Sequence, residues 1–223
     1  MRPYMALIRG HDVCGGILIT PRWVLTAAHC SLALNTRVIL GAHYFYEIER
    51  SQQHFKIAKS IRFPYYNYST HEHDMMLLQL QGRAKLNRYV RVIPLPTDYD
   101  DVKAGTSCLI AGWGITYNGD QNPSDTLREV IVTVIERSVC NDKNHYNHNP
   151  FITLDMLCAG DQKGGKDACR GDSGGPLICN GELRGIIAIG IKEKCGTIQY
   201  PGIYTLLTEQ HLLWINYITR HDL

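Results

Sequence analysis

Short runs of β-branched and aromatic residues, each stopped by turn-forming residues, recur along most of these 223 residues. Gly16-Ile17-Leu18-Ile19, Thr36-Arg37-Val38-Ile39-Leu40, Cys108-Leu109-Ile110-Ala111-Gly112 and Val130-Ile131-Val132-Thr133-Val134-Ile135 are examples. Branched side chains fit a pleated strand better than a helix, so this rhythm predicts an all-β chain, and many short strands of this kind close into barrels. One helix stands apart, from about Thr208 to Thr219, where Leu212, Ile215 and Ile218 share a face and Trp214 widens it. No internal repeat or low-complexity segment interrupts the pattern. With 44% hydrophobic and 20% charged residues, a chain of this length can bury a sizeable core. A formal net charge of +2 is too small to suggest nucleic acid as a partner. The longest apolar stretch near the end, Ile186-Ile187-Ala188-Ile189-Gly190-Ile191, falls far short of the roughly 20 residues of a membrane helix, so a soluble protein without membrane insertion is expected.

Two motifs carry chemistry. Gly171-Asp172-Ser173-Gly174-Gly175-Pro176 and, far upstream, Ala27-Ala28-His29-Cys30 together supply what a serine hydroxyl needs to become a nucleophile. The flanking glycines allow a sharp turn that aims the amides of Gly171 and Ser173 at one oxyanion, while His29 offers the base. Alone, the hexapeptide could be an ordinary glycine-rich turn; the histidine motif argues against that. The orienting carboxylate is expected at Asp74, at the mouth of the apolar run Met75-Met76-Leu77-Leu78, with Glu72 as its nearest rival.

The order His29, Asp74, Ser173 separates chymotrypsin-like enzymes from subtilisins and α/β-hydrolases. The chain resembles the chymotrypsin family of serine proteases, and within it the granzymes, over nearly its whole length. The matching pieces are Trp23-Val24-Leu25-Thr26-Ala27-Ala28-His29-Cys30, Gly112-Trp113-Gly114, Leu127-Arg128-Glu129-Val130, Val139-Cys140-Asn141-Asp142, Cys158-Ala159-Gly160 and Pro201-Gly202-Ile203-Tyr204. Val38-Ile39-Leu40-Gly41-Ala42-His43, Asn144-His145-Tyr146-Asn147 and Thr205-Leu206-Leu207 carry the likeness to granzymes. The resemblance implies a single peptidase domain over 1–223: two antiparallel Greek-key β-barrels, 1–96 and 97–207, and a C-terminal helix over 208–223. The catalytic residues would then meet in the cleft between the barrels.

Eight cysteines without a Cys-x-x-Cys spacing point to an oxidising compartment, although free buried thiols remain an alternative for some. The resemblance implies the pairs Cys14–Cys30, Cys108–Cys179, Cys140–Cys158 and Cys169–Cys195, and a secreted or granule-stored protein. It also implies that Asp167, six residues before Ser173, floors the primary pocket, with Gly190 and Gly202 leaving room for a long cationic side chain. Cleavage after Arg, with Lys second, is expected, because Ala168 offers no hydroxyl to an ammonium whereas a guanidinium can still bind a carboxylate in bidentate fashion. The plainer alternative leaves Asp167 solvated after Gly164-Gly165-Lys166. Arg170 is either a residue of the pocket rim or a solvated surface side chain.

Several residues depart from the family pattern. Met1-Arg2-Pro3-Tyr4-Met5 stand where relatives carry an Ile-Ile-Gly-Gly or Ile-Val-Gly-Gly terminus freed by activation, and Met1 opens no secretory signal. The resemblance implies that such a terminus pairs with Asp172. This sequence is therefore expected to behave as a locked zymogen from a truncated start, with the Gly171 amide turned away from the oxyanion position. Ala188 replaces a serine that donates to the triad aspartate, and Ile189 replaces an aromatic residue. The loop Tyr65 to His73 has no cysteine for an intersubunit bridge, so a monomer or non-covalent dimer is expected. Asn67-Tyr68-Ser69 is an acceptor for N-linked glycan. In His71-Glu72-His73 the two histidines, as alternate residues of a strand, would share a face and could hold zinc or copper, but a histidine-rich surface loop is the simpler account, and no metal or cofactor is expected. Protein substrates with exposed Arg or Lys, and serpin-type or Kunitz-type inhibitors, are the implied partners. The alternative function is a catalytically silent, protease-shaped binding module.

Overall fold

Alternate residues of a strand face opposite ways, and in Met5-Ala6-Leu7-Ile8 both sets are apolar, so each set needs its own core. The computed structural model, which describes residues 2–189 and 194–220, supplies both. Strands β1 (Met5–Arg9), β2 (Val13–Thr20), β3 (Trp23–Thr26), β4 (Arg37–Leu40), β5 (Gln53–Arg62) and β6 (Met76–Leu80) close an antiparallel barrel in the order β1-β2-β3-β6-β5-β4. Its interior holds Ala6, Ile8, Leu18, Val24, Val38, Leu40, Met76, Leu78 and Leu80. The opposite faces of the same strands, with Met5, Leu7, Ile17, Trp23, Leu25 and Leu77, look outward into apolar layers shared with the rest of the chain.

The second barrel has the same connectivity. Strands β7 (Ser107–Gly112), β8 (Arg128–Ile135), β9 (Met156–Gly160), β10 (Pro176–Cys179), β11 (Glu182–Ile189) and β12 (Gly202–Leu206) run in the order β10-β11-β12-β9-β8-β7 around Ile110, Val132, Val134, Leu157, Leu177, Ile187 and Tyr204. A single turn, α1 (Arg137–Cys140), follows β8. The helix α2 (Glu209–Arg220) begins one residue later than the sequence predicts. It lays Leu212 and Ile215 against Ile17, Trp23, Leu25, Leu77 and the Leu183 and Ile186 of β11. Helix and both barrels thus share one core, and burying a side chain of the Leu or Ile kind contributes about 1.5–3 kcal/mol. The fold class is the one expected: two antiparallel six-stranded barrels and a C-terminal helix.

Candidate active site

His29 follows β3 directly, and Asp74 precedes β6, which pairs with β3 in the register Thr26↔Met76. That pairing brings residues 45 apart into contact. Asp74 is fully buried; its Oδ1 accepts the backbone N–H of His29 at 2.9 Å and its Oδ2 lies 2.5 Å from His29 Nδ1. A carboxylate can only accept here, so the imidazole hydrogen sits on Nδ1 and the Nε2 lone pair is left free. The rival Glu72 is engaged elsewhere, accepting the Thr70 hydroxyl at 2.8 Å. The Thr205 hydroxyl of β12 donates to the Asp74 backbone carbonyl at 3.3 Å, a contact from the second barrel that the sequence does not announce.

The Ser173 turn docks against the same corner. Gly15 N donates to the Ser173 carbonyl at 2.8 Å, and Thr26 Oγ1 donates to the Gly15 carbonyl at 2.8 Å. Gly174, at φ +82°, fits only because it lacks a side chain: a Cβ there would lie 2.1 Å from Thr26 Oγ1 and 2.5 Å from the Gly15 carbonyl. Gly171 takes φ +102°, a conformation that side-chain-bearing residues rarely adopt. Among the described residues, neither the Gly171 nor the Ser173 amide has an acceptor, and Ser173 Oγ has no hydrogen bond to His29.

Asp172 is held by two backbone amides, Gly114 N to Oδ1 at 2.7 Å and Cys169 N to Oδ2 at 2.9 Å. Its carboxylate is enclosed by protein yet opens on a cavity of about 620 Å³ lined by Gly112, Gly114, Ile115, Asn118 and Asp167. Burial pushes its pKa up to about 6 against the pull of those amides. The expectation of a relaxed segment differs from this geometry. The two amides replace an ammonium as partners, and the Arg170 carbonyl is pinned by Ile115 N at 2.9 Å, so the turn keeps its shape. Because this pKa lies above that of an unfolded aspartate, the folded chain holds a proton that the unfolded chain releases, and the contribution of Asp172 to stability falls as pH rises from about 4 to about 6. Relative to Asp172→Asn, the wild type should lose roughly 3 kcal/mol across that window in denaturant titrations; a difference that grows in its favour would contradict this burial.

Asp167 lies on the other side of the Asp172 turn. Its Oδ1 accepts Ala168 N at 2.8 Å and its Oδ2 accepts Gly196 N at 2.9 Å; burial raises its pKa to about 6 despite them. It is therefore not a solvated loop residue. A Cβ on Gly202 would stand 2.8 Å from Asp167 Oδ1 and 2.9 Å from the Tyr204 hydroxyl, which is buried without a hydrogen-bond partner. Tyr204 is thus a neighbour of Gly202 and Asp167 that sequence reasoning missed. Gly190 and the side chain of Ile189 lie outside the described residues. Arg170 is exposed and donates to the Asp120 carbonyl at 2.7 Å.

The cysteines pair as Cys14–Cys30, Cys108–Cys179, Cys140–Cys158 and Cys169–Cys195, with no free thiol. The first ties β2 to the segment bearing His29, and the last ties the residues before Asp172 to 194–196. Asn67 is exposed, its Oδ1 accepting Ser69 N at 2.9 Å. The tract His71-Glu72-His73 is no strand: His71 and His73 take φ of +58° and +54°, and their rings diverge. His71 Nδ1 turns toward Asp74, 4.0 Å from Oδ2, while His73 Nδ1 meets His211 at 3.0 Å. Among the described residues His29 alone donates hydrogen bonds to the Asp74 carboxylate, in keeping with the alanine at position 188.

Two barrels of this topology with His29 and Asp74 in contact beside the Ser173 turn define a serine peptidase of the two-barrel kind, and residues 1–215 match the Trypsin family, to which the chain belongs. It is 51% identical to granzyme A of Bos taurus over 96% of this chain and 82% of that protein. It is also 41% identical to a Xenopus laevis trypsin, over 91% of this chain and 80% of the relative, and 41% identical to trypsin I-P1 of Gallus gallus, over 96% and 82%. The chain is a trypsin-like serine endopeptidase, acting on protein substrates. No helix among the described residues is long and apolar enough to cross a membrane.

Proposed function

We propose that the chain cleaves proteins after Arg, with Lys second, through an acyl-enzyme, in the manner suggested by its likeness to granzyme A. The observation that carries this reading is the buried Asp74 carboxylate binding His29 through both the backbone and Nδ1. With Nε2 thus free, His29 takes the Ser173 hydroxyl proton as Oγ bonds to the scissile carbonyl carbon. The unpartnered amides of Gly171 and Ser173 receive the oxyanion, and collapse expels the amine, which leaves with the proton from His29. A water then repeats the cycle, releasing the acid and restoring Ser173. Asp167 receives the substrate cation, and Gly202 keeps the approach clear.

Asp172 is the activation partner in this reading. A newly cut N-terminal ammonium entering the cavity at Asp172 would supply the positive charge that two amides replace only in part. The test is expression behind a cleavable propeptide that leaves an Ile-Ile-Gly-Gly terminus, with Arg, Lys and Phe thioesters assayed beside a Ser173→Ala control. Arg should be hydrolysed fastest; no hydrolysis above the control would leave the protease-shaped binding module as the better account. Secretion or storage in a granule agrees with four disulfides. A monomer or non-covalent dimer agrees with the pairing of all eight cysteines within the chain, and inhibitors of the serpin or Kunitz type belong to the same reading through the likeness to granzyme A. The exposed Asn67 is read as glycosylated. Material secreted from mammalian cells should run faster on gels after Asn67→Gln, and unchanged mobility would remove the glycan from the account.

A further inference from the structure

His73 meets an aspartate of the second barrel and a histidine of α2. Its Nδ1 lies 3.0 Å from His211 Nε2 and 3.3 Å from Asp155 Oδ2, and one ligand-capable atom from each residue falls within 4.8 Å of the others. We propose that His73, Asp155 and His211 bind a zinc ion, with water in the fourth position, and that the ion clamps the loop ahead of Asp74 to the second barrel and the terminal helix.

Two imidazoles and one carboxylate form a mixed nitrogen and oxygen set that suits zinc, whereas calcium and magnesium prefer oxygen alone. Ligand atoms around a tetrahedral zinc lie about 3.4 Å apart, so the two spacings from His73 Nδ1, 3.0 and 3.3 Å, need adjustments of only tenths of an ångström. The outer partners needed to aim such ligands are also in place. The Leu206 carbonyl, which can only accept, lies 2.8 Å from His211 Nδ1 and takes its hydrogen, leaving the Nε2 lone pair directed at His73. The Thr153 hydroxyl donates to Asp155 Oδ1, and Oδ2, which accepts the His73 backbone N–H at 3.0 Å, keeps a second lone pair for the ion. His211 is wholly buried, which holds its ring in one orientation toward His73. The Phe63 ring packs 4.8 Å from His211 and 5.3 Å from His73, forming an apolar wall. The His73 and Asp155 side chains keep 25% and 13% accessibility, which gives an ion its way in.

With the His211 hydrogen on Nδ1, the metal-free contact between His73 Nδ1 and His211 Nε2 is made by a hydrogen on His73 Nδ1. Zinc replaces it there, and neutral His73 carries its hydrogen on Nε2 instead. A second group, His29, His71 and Asp74, is a poorer host, because a metal there would have to break the 2.5 Å contact between His29 and Asp74. The site does not depend on Ser173 or on peptidase activity, so the two readings fail separately.

Metal-free chain should be titrated with Co²⁺ as a spectroscopic probe and with Zn²⁺ against a chromogenic chelator. One equivalent should bind, with the strong visible bands of tetrahedral cobalt, and saturating zinc should raise Tm by several degrees, since the ion binds only the folded chain. His211→Gln and Asp155→Asn should each weaken zinc binding at least about tenfold and abolish the bands, and Thr153→Val should weaken it about tenfold. His71→Ala should change nothing. Full affinity in both His211→Gln and Asp155→Asn, loss of binding in His71→Ala, or no binding tighter than millimolar would overturn the proposal. If His211→Gln fails to fold, Asp155→Asn, which is nearly isosteric, decides alone.

Discussion

Ser173→Ala is expected to lower kcat toward an Arg thioester by on the order of 10⁶-fold while leaving substrate binding almost unchanged. In the proposed mechanism the hydroxyl is the atom that bonds to the substrate carbonyl, so its removal leaves that step without a nucleophile. His29→Ala should cost nearly as much, because without a base the hydroxyl keeps its proton. The double variant should be little worse than either single one, because the two residues act as a unit, and the residual rate reflects the oxyanion donors and substrate positioning. Steady-state kinetics on the activated chain would decide. Losses that multiply in the double variant would mean that Ser173 and His29 act independently, contrary to the proton transfer proposed between them.

Asp167→Ser should cut kcat/KM for Arg substrates by roughly 10²–10⁴-fold, the equivalent of leaving a buried cation without its partner at about 3–5 kcal/mol. Each Asp167 oxygen already accepts one amide, from Ala168 and from Gly196, so one lone pair on each remains for a guanidinium fork. Stability should move the other way. A carboxyl whose pKa is raised to about 6 by burial opposes folding near neutral pH, so its removal should raise Tm in the uncleaved chain. A variant that loses Arg cleavage and Tm together would mark Asp167 as a structural residue. One that keeps Arg cleavage would place the specificity pocket elsewhere.

The barrels were legible because β-branched runs such as Val130 to Ile135 fit only a pleated strand. The fully buried strands were legible only as apolar runs, since nothing local shows that Leu77 faces the inter-barrel layer while Leu78 faces the barrel interior. His29, Asp74 and Ser173 could be named from motifs, and the preference for Asp74 over Glu72 rested on its place at the mouth of a buried strand. Thr205 and Tyr204 carried no signal, because their roles come from β12 lying beside Asp74 and Asp167. Alternation along a strand would give His71 and His73 a shared face, but positive φ at both turns their rings toward different partners, Asp74 and His211. Asp155 and His211 lie 82 and 138 residues from His73, a closeness that only the tertiary fold produces.

Bonds across the seam have a consequence for assembly. Gly15 N to the Ser173 carbonyl, Thr205 to the Asp74 carbonyl and His73 N to Asp155 each join one barrel to the other. Neither half of the polypeptide can organise the reaction centre by itself. A break in the exposed connector around Tyr99 and Asp100 would therefore produce two inert fragments whose joint activity reports on their reunion.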